Sequence, residues 1–202
     1  MRIFHLFFTR YPGWIVTICL LLLPVAAQAH ADGVGQSGFW NGFHHPISGL
    51  DHVLAMVSVG LWGAILGPPA VWVLPVAFPL IMTLGAVAGI LGLNLPAVEL
   101  GIILSVVLLG GVIAFKFRPG LPFAVLIVSF FAVFHGYAHG AELPENAGAV
   151  GYSIGFVVAT GLLHLTGILL GLIDRLPFGD RVLQGGGVVI AVTGIFLLVR
   201  GF

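Results

Sequence analysis

Charge is what this sequence has least of. Asp, Glu, Lys and Arg together make up 7% of the 202 residues, 7 basic against 7 acidic, where a soluble domain carries about 25%. So few charges cannot clothe a water-facing surface, and most of the surface must meet lipid. Lys116 is the sole lysine. A basic groove for nucleic acid is therefore excluded, as is a lysine-linked retinal in mid-span. Cys19 is the only cysteine, which excludes a disulfide framework. The alternation of apolar and polar residues that marks an outer-membrane barrel is missing. So is the G-x-x-x-x-G-K-[ST] loop of an ATP-driven pump.

What is present is apolar. Hydrophobic residues make up 59% of the chain and the mean hydropathy is +1.18. Glycine, at 30 residues, fits close helix packing in lipid, because small residues let backbones approach. Residues 1–29 read as a secretory signal: Arg2 and Arg10 supply the positive start, Trp14 to Ala27 the apolar stretch, and Ala27-Gln28-Ala29 the cleavage site. Cleavage there makes His30 the first residue of a mature domain spanning 30–202. Its free amine and imidazole then form a candidate chelate for one metal ion.

Apolar stretches near the ~20 residues needed to cross a bilayer predict an all-α, polytopic bundle. Six helices are expected, near 46–66, 70–92, 96–115, 121–141, 147–172 and 183–201, separated by Pro and Gly punctuation such as Gly67-Pro68-Pro69 and Arg118-Pro119-Gly120. A cleaved signal leaves residue 30 outside. The loops that then fall inside hold Lys116, Arg118, Arg175 and Arg181, while the outer connections hold Glu99, Glu142 and Glu145. The positive-inside rule gives the same orientation independently. Trp40, Trp62 and Trp72 are expected to anchor span ends at the lipid interface, and Glu99 to lie in the headgroup layer.

Two clusters carry chemistry. The first is His44-His45-Pro46-Ile47-Ser48-Gly49-Leu50-Asp51-His52. With Pro46 at the first position of the helix, Asp51 and His52 fall in its first two turns, and His45 shares a face with His52. The second is His135-Gly136-Tyr137-Ala138-His139-Gly140-Ala141-Glu142. Here His135 and His139, one turn apart, project from one face, and Glu142 continues that face. Paired imidazoles at this spacing are a familiar metal chelate. One cluster begins a helix running inwards and the other ends a helix running outwards, so both arrive at the outer side. Neutral imidazole and carboxylate suit Ni²⁺, Co²⁺ and Zn²⁺, and the lack of thiolate disfavours Cu(I). His164, inside the fifth span, is a candidate onward site. A haem held by histidines of two helices is the alternative; the adjacent Asp51 and Glu142 are poor partners for haem iron. The Ser48-Gly49 pair lacks the G-x-S-G pattern of an intramembrane serine protease, because position 46 is proline.

On His45-Pro46, Ser48-Gly49-Leu50-Asp51-His52 with Leu54-Ala55-Met56, and on Phe134-His135-Gly136, Ala138-His139-Gly140 and Glu142, the sequence resembles the HupE/UreJ family of bacterial nickel permeases. The resemblance extends in outline over the whole chain. It implies transport of nickel or cobalt across the bacterial cytoplasmic membrane, no prosthetic group, and a functional link to nickel enzymes such as hydrogenase and urease. The spacing alone implies only a divalent-metal site. Wider nickel/cobalt transporters carry His, four residues, then Asp-His; here five residues separate His45 from Asp51, so that geometry is not carried over.

Overall fold

The computed structural model describes residues 33–142 and 148–201; the segment 1–29, expected to be a secretory signal, and His30 lie outside them. The described chain is all helical. It runs through α1 (Gly33–Ser48), α2 (Leu50–Leu66), α3 (Ala70–Ile90), α4 (Val98–Ala114), α5 (Leu121–Ala141), α6 (Ala149–Gly171), a 3₁₀ turn (Leu172–Arg175) and α7 (Gly179–Arg200). Among the described residues, four helical segments are long and apolar enough to cross a membrane: Ala70–Ile90, Leu121–Ala141, Val150–Arg175 and Gly179–Arg200. The count reaches five if α1 and α2 are taken as one broken span. Helix α4, with 17 residues, rises about 26 Å at ~1.5 Å per residue, short of the ~30 Å hydrocarbon core. The fold is thus a membrane-spanning helical bundle, but not a set of six equal spans.

The first expected helix is corrected most. Pro46 does not open a helix; it lies inside α1, near its end. The chain then breaks at Gly49, which is extended (φ −93°, ψ 119°), and α2 leaves α1 at 82°. Three local features explain the break. Pro46 removes one intrahelical N–H. The Ser48 hydroxyl donates to the His45 carbonyl at 2.7 Å, competing with helix continuation. Glycine has low helix propensity. His45 and His52 therefore stand on two helices, not on one face.

Glycines set how the helices meet. A methyl group at Gly136 would collide with the Met82 carbonyl, and one at Gly140 with the Ala86 carbonyl, so α3 and α5 lie backbone to backbone and run parallel. Gly60 meets the His164 carbonyl and Gly167 the Val57 carbonyl, so α2 and α6 also run parallel. Gly110 meets Ala191 while Gly187 meets Ala114, which makes α4 and α7 antiparallel. These senses agree with helices that alternate in direction through a bilayer.

The core is built from Met56, Val59, Trp62, Leu74, Phe78, Val106, Leu109 and Ile113, among others. Trp62 is therefore not an interface anchor: it is fully buried and its indole donates to the Phe117 carbonyl at 3.0 Å. Trp40 is 54% exposed, as an anchor should be. At the Trp62 end of the bundle Lys116 sits 3.1 Å from Asp180 and 3.9 Å from Asp174, and Arg118 lies 3.8 Å from Asp174. The basic residues and the histidine clusters thus occupy opposite ends of α4 and α5.

Candidate functional site

The break at Gly49 turns the end of α1 and the start of α2 into a corner. His45 hangs from one arm, and Asp51 and His52 from the other. A Cβ at Gly49 would stand 2.8 Å from Asp51 Oδ1 and 3.1 Å from His52 Nδ1, so glycine leaves the space in which that pair forms. Asp51 Oδ1 accepts from both His52 N–H (2.9 Å) and His52 Nδ1 (3.0 Å). The carboxylate therefore holds the Nδ1–H tautomer, and the lone pair falls on Nε2, which is buried with no hydrogen-bond partner.

Helix α5 brings His135 and His139 to this corner, because Gly136 and Gly140 let it lie against α3. His135 is completely buried and His139 is 5% exposed. Ring centroids are 4.5 Å apart for His52 and His139, 4.7 Å for His45 and His139, and 4.8 Å for His52 and His135. His139 is the hub on which the two sequence clusters meet, and neither of its ring nitrogens is hydrogen-bonded. Glu142, at the end of α5, lies 3.7 Å from His45. A cavity of about 240 Å³ opens beside them, lined by His45, Asp51, His52, His139, Glu142 and Glu99. Glu99 therefore belongs to the wall of this cavity and not to the headgroup layer alone.

His164 does not join the group. It is buried on α6, with the Phe78 ring at 5.6 Å, and the same ring lies 5.5 Å from His135. His44 turns away and packs on Trp40 and Phe43. His30 lies outside the described residues. Among the described residues no group of three or more His, Cys, Asp or Glu side chains is arranged to hold a metal ion as the side chains stand. The donors converge, but closing them on one ion requires ring rotation.

Ser105 joins the site without having stood out in the sequence. Its hydroxyl donates to the Ile102 carbonyl at 2.6 Å and lies 2.9 Å from His135 Nε2. With its one proton committed, Ser105 must accept from His135 Nε2–H, which leaves Nδ1 as the free lone pair; Nδ1 is buried and has no hydrogen-bond partner. The only signal in the sequence was a single hydroxyl in a helix that is apolar after Glu99. Asp51 and Ser105 thus each fix one imidazole, the role that outer partners play in metal sites. Replacing Asp51 by Asn or Ser105 by Ala is expected to weaken divalent-metal binding by about 10–100-fold without unfolding the protein. Isothermal titration of purified variants checks this, and unchanged affinity in both would refute the role.

Residues 18–197 match the family model described as HupE / UreJ protein. The chain belongs to the HupE/UreJ family. It is also 43% identical over 190 residues to Protein HupE of Rhizobium leguminosarum bv. viciae, an alignment covering 94% of this chain and 99% of that one. No solved structure matches it. For this HupE/UreJ chain the family match spans both motifs, the Gly49 corner and all the helices that build the cavity.

Proposed function

We propose that this protein carries Ni²⁺ or Co²⁺ inward across the bacterial cytoplasmic membrane, taking the ion from the periplasmic side at the histidine–carboxylate cavity. The observation that carries the proposal is the convergence of four imidazoles from three helices, with His45 and His52 packed on His139 and His135 packed on His52, at one end of a largely apolar bundle. Intramembrane ionisable groups are costly and are retained for a purpose. His45, Asp51, His52, His135, His139 and Glu142 are the proposed ligand set, Asp51 through the carboxylate oxygen other than the Oδ1 that holds His52, with Glu99 adding negative charge at the entrance. Carboxylate charge offsets the cost of drawing a dication into a low-dielectric site. After removal of residues 1–29, His30 would add an amine and an imidazole near capture. The choice between nickel and cobalt, and a supply role for enzymes such as hydrogenase and urease, rest on the family resemblance.

Six spans fit this reading. Helix α2 crosses with help from the α1 elbow. Helix α4 crosses with Lys116 reaching along its own stem toward the cytoplasmic interface. The four basic residues of the inner loops then face the cytoplasm and the mature N-terminus the periplasm.

Cells expressing the protein should accumulate radiolabelled Ni²⁺ or Co²⁺ well above cells lacking it, and equal accumulation would defeat the proposal. Protons compete with metal for neutral imidazole. Ni²⁺ binding should therefore weaken, and never strengthen, as the pH is lowered; binding that rises on acidification would speak against imidazole ligation.

A further inference from the structure

The two parallel helix pairs repeat each other residue for residue. In the α3–α5 pair, Gly136 faces the Met82 carbonyl, Gly85 faces Val133 and Tyr137, and Gly89 faces Tyr137. In the α2–α6 pair, Gly60 faces the His164 carbonyl, Gly167 faces Val57 and Leu61, and Gly171 faces Leu61 and Ala64. At constant offset, Val57, Gly60 and Leu61 of α2 correspond to Val133, Gly136 and Tyr137 of α5. His164, Gly167 and Gly171 of α6 correspond to Met82, Gly85 and Gly89 of α3. The α4–α7 crossing maps onto itself, because Gly110 meets Ala191 as Gly187 meets Ala114. The segments α2–α3–α4 and α5–α6–α7 are thus two copies of one unit. Helix α2 is joined to α3 by a short turn and α3 is parallel to α5, so α2 and α5 run in opposite senses. The repeat is inverted, with its pseudo-twofold axis in the membrane plane, an arrangement that suits alternating access.

This symmetry assigns a depth to His164. The α3–α5 crossing at Gly136, next to His135, lies towards the end of the bundle that holds the cavity. Its mate, the α2–α6 crossing at Gly60 and His164, lies at the equivalent depth towards the other end. His164 occupies the position that the apolar Met82 fills in the other copy, and Thr160 the position of Phe78. Both His164 and Thr160 are buried, at 3% and 0% exposure, and His164 Nε2 and Thr160 Oγ1 have no hydrogen-bond partner. They lie one turn apart on one face of α6. Polar atoms left this way are costly, and the other copy shows that apolar packing is available at the same place.

The Phe78 ring stands between the two levels, 5.5 Å from His135 and 5.6 Å from His164. Its helix carries Pro75 and Pro79. Neither can donate a backbone hydrogen bond, so the turn around Phe78 lacks two of the bonds that stiffen a helix.

We propose that His164 and Thr160 form a second, inner station for the transported cation, and that Phe78 is the gate separating it from the outer histidines. The proposal rests on the transport reading above. The ion passes from the outer cluster to His164 when the two repeats rock about the α4–α7 crossing and α3 flexes at its prolines.

The test compares unsubstituted full-length protein with His164→Met, which installs the residue of the symmetry-related copy, and Thr160→Val. Equilibrium dialysis of purified protein against radiolabelled Ni²⁺ reads the outer cluster, and uptake by cells reads passage. His164→Met should keep the high-affinity Ni²⁺ binding of the outer cluster, losing at most the ion held at the inner station, while uptake falls about tenfold or more. Thr160→Val should show a smaller loss in the same direction. Uptake by His164→Met within about twofold of the unsubstituted protein would overturn the inner station and leave the capture site standing. Loss of binding together with uptake would overturn it too, by making His164 part of the outer site or of the scaffold. Failure of the unsubstituted protein to bind Ni²⁺ would overturn both readings.

Discussion

Replacing His135 and His139 together by Ala should abolish Ni²⁺-dependent uptake in cells that make the protein at normal levels. His139 touches both His45 and His52, and His135 touches His52. The double change removes two of four imidazoles and the hub that joins the α1–α2 corner to α5. What remains is His45 with Glu142 and His52 with Asp51, two separate pairs. Loss of a single ligand partner already costs about 10–100-fold in metal affinity, so losing two rings should take uptake to background. The fold should survive. Neither nitrogen of His139 is hydrogen-bonded, and His135 gives up only its bond to Ser105. Radiolabelled uptake and a thermal melt of the purified variant check the two statements separately. Uptake at the unsubstituted rate would remove the capture site from consideration.

Gly136→Leu should have the largest effect on the scaffold. A first carbon at this position already collides with the Met82 carbonyl, and backbone cannot yield as a flexible side chain can. Overpacking of this kind typically costs about 1–3 kcal/mol or more, here at the crossing that holds α5 in place. The expected outcome is loss of a monodisperse peak in detergent, together with loss of metal binding, since His135 and His139 ride on α5. Gly161→Leu is the matched control: nothing lies within 4 Å of a Cβ placed there, so its elution profile and uptake should be those of the unsubstituted protein. If Gly136→Leu behaves like the control, close packing of α3 on α5 is not what positions the site.

Much of the fold was legible in the sequence because lipid simplifies the problem. With no water to satisfy backbone groups, long apolar segments can only be helices or barrel strands, and Pro and Gly mark where they stop. The helix over 121–141 coincides with the expectation, and α3 and α4 end within two residues of it at each end. The elbow at Gly49 was not legible. Pro46 suits either the start of a helix or a weak last turn, and only packing of α1 against α6 decides between them. Burial of Trp62 was hidden for a similar reason: an indole near a span end looks the same whether it faces lipid or the Phe117 carbonyl.

The sequence by itself determined that this is a helical membrane protein, that its histidines and carboxylates fall in two groups, and that both groups belong to one end of the bundle. Those properties are one-dimensional: hydropathy, charge asymmetry and helix direction are read along the chain. The tertiary structure alone decided that His139 is the meeting point, that Asp51 and Ser105 set which ring nitrogens are free, that Glu99 lines the cavity, and that His164 sits behind Phe78. Each depends on which helix faces touch. That is governed by glycine-to-backbone approach at a few crossings, where the fit of one carbon atom selects the partner and its register.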